Sequence, residues 1–156
     1  MTNDLRTQIA AVQHTIQSKW VNWMFNSACQ PGVDGTLVIP KEKVDRWIRQ
    51  AGTEYAQLSE EEKGSDRHQT ALILEVVDGA DFIEELSDLQ HEFWNDWIIE
   101  MFAEWTIWNA NGTCIILSEF VQEWKSRASK SHPELDDEAQ ERCLIEADKI
   151  IAVINN

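Results

Sequence analysis

The sequence predicts a mainly α-helical fold with a small two-stranded antiparallel β element, made of two fused repeats related by a pseudo-two-fold axis. Three observations lead there. The chain aligns with itself, without a gap, at a shift of 77 residues that lays Val12–Leu74 on Leu89–Ile151. Apolar side chains recur at three- and four-residue spacing over most of each half, the mark of amphipathic helices. Each half also holds one short β-branched segment that cannot satisfy its backbone groups alone, so the two segments are expected to pair.

The matches at that shift involve rare residue types. Gln13-His14 recurs as Gln90-His91, Trp20 as Trp97, Met24-Phe25 as Met101-Phe102, Gly35-Thr36 as Gly112-Thr113 and Trp47 as Trp124. The repeats are placed at residues 1–78 and 79–156. Each has too few residues to bury a strong core by itself, so one fused globular unit is expected.

In the first repeat, Leu5, Ile9, Val12, Ile16, Trp20, Trp23 and Phe25 predict a helix to about Ala28. Pro31-Gly32-Val33-Asp34-Gly35 breaks it. Thr36–Ile39 reads as a strand ended by Pro40, which leads into a helix from Lys41 to about Gln50. Ser59 with Glu62 three residues on is a capping box, opening a helix towards Val77 that Asp78-Gly79 stops. The second repeat follows suit. A long helix is expected from about Asp81 to Trp108, a turn at Asn111-Gly112, a strand from Thr113 to Leu117, a helix after Ser118 and a last helix from about Asp136 to Val153. Thr36–Ile39 should pair with Thr113–Ile116.

No run of eighteen or more apolar residues occurs, and the N-terminus lacks the basic-then-apolar order of a secretory leader, so a cytoplasmic protein without membrane contact is expected. Three cysteines without a C-x-x-C pair give neither a disulfide framework nor a thiolate zinc site. The chain carries 28 acidic against 13 basic residues, a formal net charge of −15. Nucleic-acid binders need clustered Lys and Arg to release phosphate counterions, so direct nucleic-acid binding is excluded as a main activity and a basic partner is favoured.

The segment Tyr55-Ala-Gln-Leu58-Ser-Glu-Glu-Glu62-Lys63-Gly-Ser-Asp66-Arg67, preceded by Leu37-Val38-Ile39-Pro40 and Trp47, resembles the ryanodine-receptor-type (RyR) repeat domain, more closely its short bacteriophage and prophage versions. The resemblance covers most of residues 12–75. In the second repeat the signature has eroded to His132-Pro133-Glu134-Leu135, with Cys143-Leu144 where Asp66-Arg67 stand. The resemblance implies a helical binding or scaffolding module rather than an enzyme, and a phage setting in which the chain would act in the host cytoplasm. It carries no agreed ligand-binding residue.

A search for chemistry agrees in direction. His14, His68, His91 and His132 fall in no metal-binding spacing. A duplicated Gln-His pair facing its symmetry mate across a helix contact accounts for His14 and His91. No nucleophile elbow or phosphate loop is present, Cys114 falls in a core strand, and Glu60-Glu61-Glu62 suits a helix N-terminus. Neither a catalytic residue, a metal ligand nor a cofactor is therefore assigned. Trp94, Trp97, Met101, Trp105 and Trp108 follow at helical spacing and are expected to pack against Trp20 and Trp23.

The two halves differ most in charge. Residues 1–78 hold 11 acidic and 8 basic side chains, residues 79–156 hold 17 and 5. Asp81, Glu84, Glu85, Asp88, Glu92, Asp96, Glu100 and Glu104 follow one another without an intervening Lys or Arg. On a helix of about 3.6 residues per turn they form a row of carboxylates roughly 6 Å apart. Like charges at that spacing destabilise a helix, so the row reads either as a solvated acidic face or as a binding surface. The expected function is a non-enzymatic binding protein in which Glu84, Glu85, Asp88, Glu92, Asp96, Glu100 and Glu104 block the basic, nucleic-acid-binding surface of a host protein or nucleoprotein complex, in the manner of a nucleic-acid mimic against a defence system such as a CRISPR effector. The alternative is a nucleotide or small-molecule signal binder, with Trp20, Trp23, Trp47, Tyr55, Lys63, Asp66, Arg67, Trp97 and Trp124 lining its pocket.

Overall fold

The computed structural model describes residues 2–155, with side chains from Leu5 onward. It is mainly α-helical: α1 (Thr2–Trp23), α2 (Lys41–Ala51), α3 (Glu60–Ile73), α4 (Ile83–Glu100), α5 (Ser118–Ala128) and α6 (Asp137–Ile154) carry four short strands, β1 (Gln30–Pro31), β2 (Leu37–Ile39), β3 (Thr106–Trp108) and β4 (Cys114–Ile116). The elements repeat at the sequence shift. Adding 77 to the bounds of β2 and α2 gives those of β4 and α5, and adding it to Glu60, where α3 begins, gives Asp137, where α6 begins.

The sheet corrects one expectation. It has four strands in the order β1-β2-β4-β3, all antiparallel, rather than two. The extra strands follow the two long helices, of which the first ends at Ala28 as expected and the second at Trp105, short of the expected Trp108. Each closes with a π turn, Met24–Ala28 after α1 and Met101–Trp105 after α4, again 77 residues apart. The widened turn takes up one extra residue and releases the chain into β1 or β3. Trp108 thus lies in a strand, half exposed, instead of completing a helical stripe.

The central pairing is the one the repeats demand. Leu37 pairs with Ile116, Val38 with Ile115 and Ile39 with Cys114, a register that is symmetric about Val38 and its equivalent Ile115. Leu37, Ile39, Cys114 and Ile116 alternate inward and are buried, as a half-covered sheet requires. Gly35 and Gly112 both hold positive φ, 84° and 89°, at the turns that open β2 and β4. The capping box forms as expected: Ser59 accepts from the Glu62 N–H and Glu62 accepts from the Ser59 N–H.

The chain divides into two compact units, and each draws on both sequence halves. One holds the residues up to Gln17, Tyr55–Phe93 and the residues from Lys130 on, that is α3, α6 and the N-terminal stretches of α1 and α4. Ile9, Ile16, Ile73, Leu86, Ala147 and Ile150 form its buried interior. At its pseudo-two-fold, Gln13 and Gln90 exchange two hydrogen bonds, Nε2 to Oε1 at 3.1 and 2.8 Å, with 0% and 1% of each residue exposed. Each amide leaves its partner unsatisfied if removed, and a buried orphan costs about 1–3 kcal/mol. Gln90→Leu should therefore lose about that much in urea unfolding, and adding Gln13→Leu should recover a large part of it, because the polar pair is then gone from both sides.

The other unit, Ser18–Glu54 and Trp94–Ser129, contains the sheet, α2 and α5. Its interior is aromatic. Trp97 meets Trp20 at 6.0 Å, Trp105 at 5.7 Å and Trp124 at 5.8 Å between ring centroids, so of the expected stripe Trp97 packs on Trp20, while Trp105 packs on Trp97 and Trp124 and Trp108 on Phe102. Trp23 turns instead to Trp47, at 6.0 Å, and stays half exposed.

Candidate functional site

In the first unit the residues of the Tyr55–Arg67 segment converge on α4. The short 3₁₀ turn Tyr55–Gln57 and the first turns of α3 place Tyr55, Glu60, Lys63 and Arg67 beside Glu84. Arg67 grips Glu84 through two bonds, Nη2 to Oε1 at 2.6 Å and Nε to Oε2 at 3.1 Å, and reaches Glu60 at 3.0 Å. The Tyr55 hydroxyl donates to Glu84 Oε2 at 2.8 Å, and the Lys63 ammonium lies 5.6 Å from the centroid of the Tyr55 ring. Hydrogen bonds from Arg67 and then Tyr55 pull the Glu84 carboxyl down to about 2. Burial is the first reason that the Tyr55 phenol is shifted up, and its bond to Glu84 adds to it.

Deeper in the same unit Asp66 approaches His91, Oδ2 to Nδ1 at 3.5 Å, with 12% and 5% of their side chains exposed. Burial, then the negative charges of Asp88 and Glu62, push the Asp66 carboxyl up to about 7. Thr70 and Ser87 share a buried hydrogen bond at 2.9 Å. The second repeat has no counterpart to this network: His132, Gln140, Cys143 and Leu144 stand where Tyr55, Lys63, Asp66 and Arg67 do, and Thr7 stands where Glu84 does. His14 donates from Nε2 to the Lys130 carbonyl at 2.7 Å, and His91 lies beside Asp66. It is the neighbouring glutamines that meet.

The acidic row keeps most of its members at the surface. Asp81, Glu85, Asp88, Glu92, Asp96 and Glu104 are exposed and Glu100 half-buried. Glu84 leaves the row, because Arg67 and Tyr55 already hold both of its oxygens. Among the described residues, Glu85, Asp88, Glu92, Asp96 and Glu104 have no ion pair with a Lys or Arg. From His68 to Trp124 the sequence contains neither Lys nor Arg, which leaves few cations to reach them.

The residues read as a ligand pocket fall into two groups. Tyr55, Lys63, Asp66 and Arg67 belong to the first unit and are tied up as above. Trp20, Trp23, Trp47, Trp97 and Trp124 belong to the second, where Trp47, Trp97 and Trp124 are 2%, 2% and 4% exposed. Those three are buried in the hydrophobic core, Trp97 and Trp124 edge to face, and offer no open face for stacking a base.

A feature not foreseen from sequence lies in the second unit, where a groove of about 450 Å³ is lined by Ile48, Ala51, Ile98, Ile99, Phe102 and Trp108 among others. Isolated exposed isoleucines are ordinary at the sequence level, so only the approach of α2 to the end of α4 reveals them as one surface.

Burial pushes the thiols of Cys29 and Cys114 up to about 12 and about 11, so both stay protonated and unreactive near neutrality. Among the described residues no His, Cys, Asp or Glu cluster could hold a metal ion, and no helix is long and apolar enough to cross a membrane. Compared with protein-family models, curated proteins and solved structures, the chain matches none.

Proposed function

We propose that the chain is a non-enzymatic binding protein, built from two RyR-type repeats, whose α4 carboxylates dock on a basic protein surface that otherwise holds a nucleic-acid backbone. The observation that carries this is the contrast between equivalent helices. Where α4 presents Glu85, Asp88, Glu92 and Asp96, α1 presents Gln8, Ala11, Thr15 and Lys19. The helix forms in both repeats, so folding does not call for the acids. Glu85 sits in the first turn, where the helix dipole favours it, but the repulsion among Asp88, Glu92 and Asp96 at i,i+4 spacing is a cost without a local return. Uncompensated carboxylates on a helix attract a Lys/Arg groove and speed encounter with it. The phage setting that the resemblance implies makes a host defence complex that holds nucleic acid the class of partner to test first.

The test is competition. The protein should displace a double-stranded DNA oligonucleotide from a basic, sequence-indifferent DNA-binding protein at low salt, and lose roughly tenfold or more of that potency between about 50 and 200 mM salt. The variant Glu85→Lys, Asp88→Lys, Glu92→Lys and Asp96→Lys should no longer compete, with its helix content by circular dichroism unchanged. A control reversing the exposed Glu54, Glu75, Glu119 and Glu141, which has the same net charge, should retain most of the activity. Equal loss in both variants would reduce the effect to net charge, and equal retention would remove the proposal.

A further inference from the structure

The two edges of the sheet are equivalent in the repeats but are finished differently. At the β1 edge the Gly32 N–H donates to the Thr36 carbonyl at 2.9 Å, so the backbone of Gln30 and Gly32 faces β2 and that of Pro31 faces out. At the β3 edge the Leu117 N–H donates to the Trp105 carbonyl at 3.0 Å and the Asn109 N–H to the Thr113 carbonyl at 2.9 Å. The backbone of residues 105, 107 and 109 therefore faces β4, and that of Thr106 and Trp108 faces out. Trp108 stands 77 positions after Pro31, at the equivalent place. Pro31 has no N–H to offer and closes its edge, one of the usual protections against strand addition. Trp108 does have one, and β3 is the last strand of the sheet.

A second position differs in the same sense. The register runs one row of side chains across the sheet, Gln30, Val38, Ile115 and Ile107, on the face opposite the buried Leu37, Ile39, Cys114 and Ile116. The row ends in an exposed glutamine at the closed edge and, at the open one, in Ile107, 54% exposed. An outward N–H and carbonyl at Trp108 beside an exposed isoleucine fit an extended strand. Charge selects which strand. From Trp105 to Ser118 the sequence has no charged residue, in a half that holds 17 acidic and 5 basic side chains. A basic partner finds no carboxylate on this strand, whereas an identical strand meets no like charge. We infer that the β3 edge pairs with the β3 edge of a second copy of this chain, antiparallel about a two-fold axis at Ile107, so that two four-stranded sheets join. The Trp108 N–H then donates to the Thr106 carbonyl of the second copy, and reciprocally, while the two Ile107 side chains meet across the axis as a close non-hydrogen-bonded pair. The arrangement repeats between chains the symmetric antiparallel pairing by which β2 meets β4 within one. It goes beyond the binding role of α4 and stands or falls apart from it.

Sedimentation equilibrium of the full chain, from micromolar to millimolar concentration, tests it. A weak monomer–dimer equilibrium is expected, because the edge is short. It should tighten roughly threefold or more between about 50 and 500 mM salt, as the repulsion between two acidic chains is screened. Docking of α4 on a basic surface responds to salt in the opposite direction, so the two are told apart. Ile107→Gln with Trp108→Pro installs the pair that closes the β1 edge, and should weaken the dimer about tenfold or more. Ile107→Lys, at an exposed position, should do the same, although it lowers the net charge and with it the overall repulsion. Ile107→Cys should give a disulfide-linked dimer under mild oxidation, and Val33→Cys, at a residue 76% exposed, should not. A chain that stays monomeric over the whole range, or a dimer that both edge variants leave as tight, overturns the proposal. Failure of Ile107→Cys to cross-link overturns the two-fold at Ile107. A monomer whose Trp108 amide is protected from hydrogen exchange only by an added Val/Thr peptide would give the edge to another protein's strand, and overturns the proposal likewise.

Discussion

Trp97→Ala should remove about 3–5 kcal/mol of stability, the usual loss for truncating a buried aromatic ring. Typical domains hold only about 5–15 kcal/mol in total, so the variant should unfold at a far lower urea midpoint or fail to accumulate. Trp97 is 2% exposed and touches Trp20, Trp105 and Trp124, so its loss opens a cavity bounded by three rigid rings that cannot collapse into it. One detail separates size from polarity. The indole Nε1 is buried without a hydrogen-bond partner among the described residues. Trp97→Phe deletes that orphan donor with part of the ring, and should cost clearly less than the alanine change, on the order of 1–2 kcal/mol. Both variants lack the Nε1–H, so their difference measures the packing of the ring that phenylalanine keeps, and equal losses would mean that this ring recovers none of it.

The second large effect is a pH dependence set by Asp66. Its carboxyl titrates at about 7 in the fold against 3.8 in a free chain. The folded state therefore holds a proton that the unfolded state has released. Stability must fall as pH rises from about 4 to about 7, by up to a few kcal/mol, and level off above. Glu84 acts in the opposite sense: drawn down to about 2 from 4.5, it contributes stability above that range that is lost as pH falls through it. With a sequence pI near 4.5, charge repulsion is also least in the window between the two. The optimum should accordingly lie near pH 4.5–5, on the acidic side of the range usual for proteins. Asp66→Asn should flatten the limb from about 4 to about 7 and make the variant the more stable chain at pH 8 but not at pH 4; melting temperatures of both chains at the two pH values decide this. Parallel curves would show that another group controls the slope.

What could be read from residues alone follows from what is local or duplicated. The strand pairing was legible because a short β-branched segment recurs at one shift and needs a partner for its backbone, and Cys114 falls inside that pairing, fully buried. The capping box at Ser59 was legible because it is a four-residue rule. The π turns and edge strands were not. Phe25 and Ala28, like Trp105 and Trp108, continue the apolar spacing, and spacing does not distinguish a helix that goes on from one that widens and stops. Glu84 looked like one more carboxylate of the row because its grip by Arg67, 17 residues earlier, exists only once α3 docks on α4. The groove escaped notice for the same reason, its walls being Ile48 of α2 and Ile99 of α4, over fifty positions apart in the chain.

Each compact unit is assembled from both halves of the chain, so neither half by itself contains a complete one. An unfused 77-residue module would have had to associate with an identical mate, and every surface innovation would then have been stamped on the molecule twice. Joining the mates end to end lifts that constraint. The two halves are then free to diverge, as the equivalent faces of α1 and α4 have: Gln8, Ala11, Thr15 and Lys19 on one, Glu85, Asp88, Glu92 and Asp96 on the other.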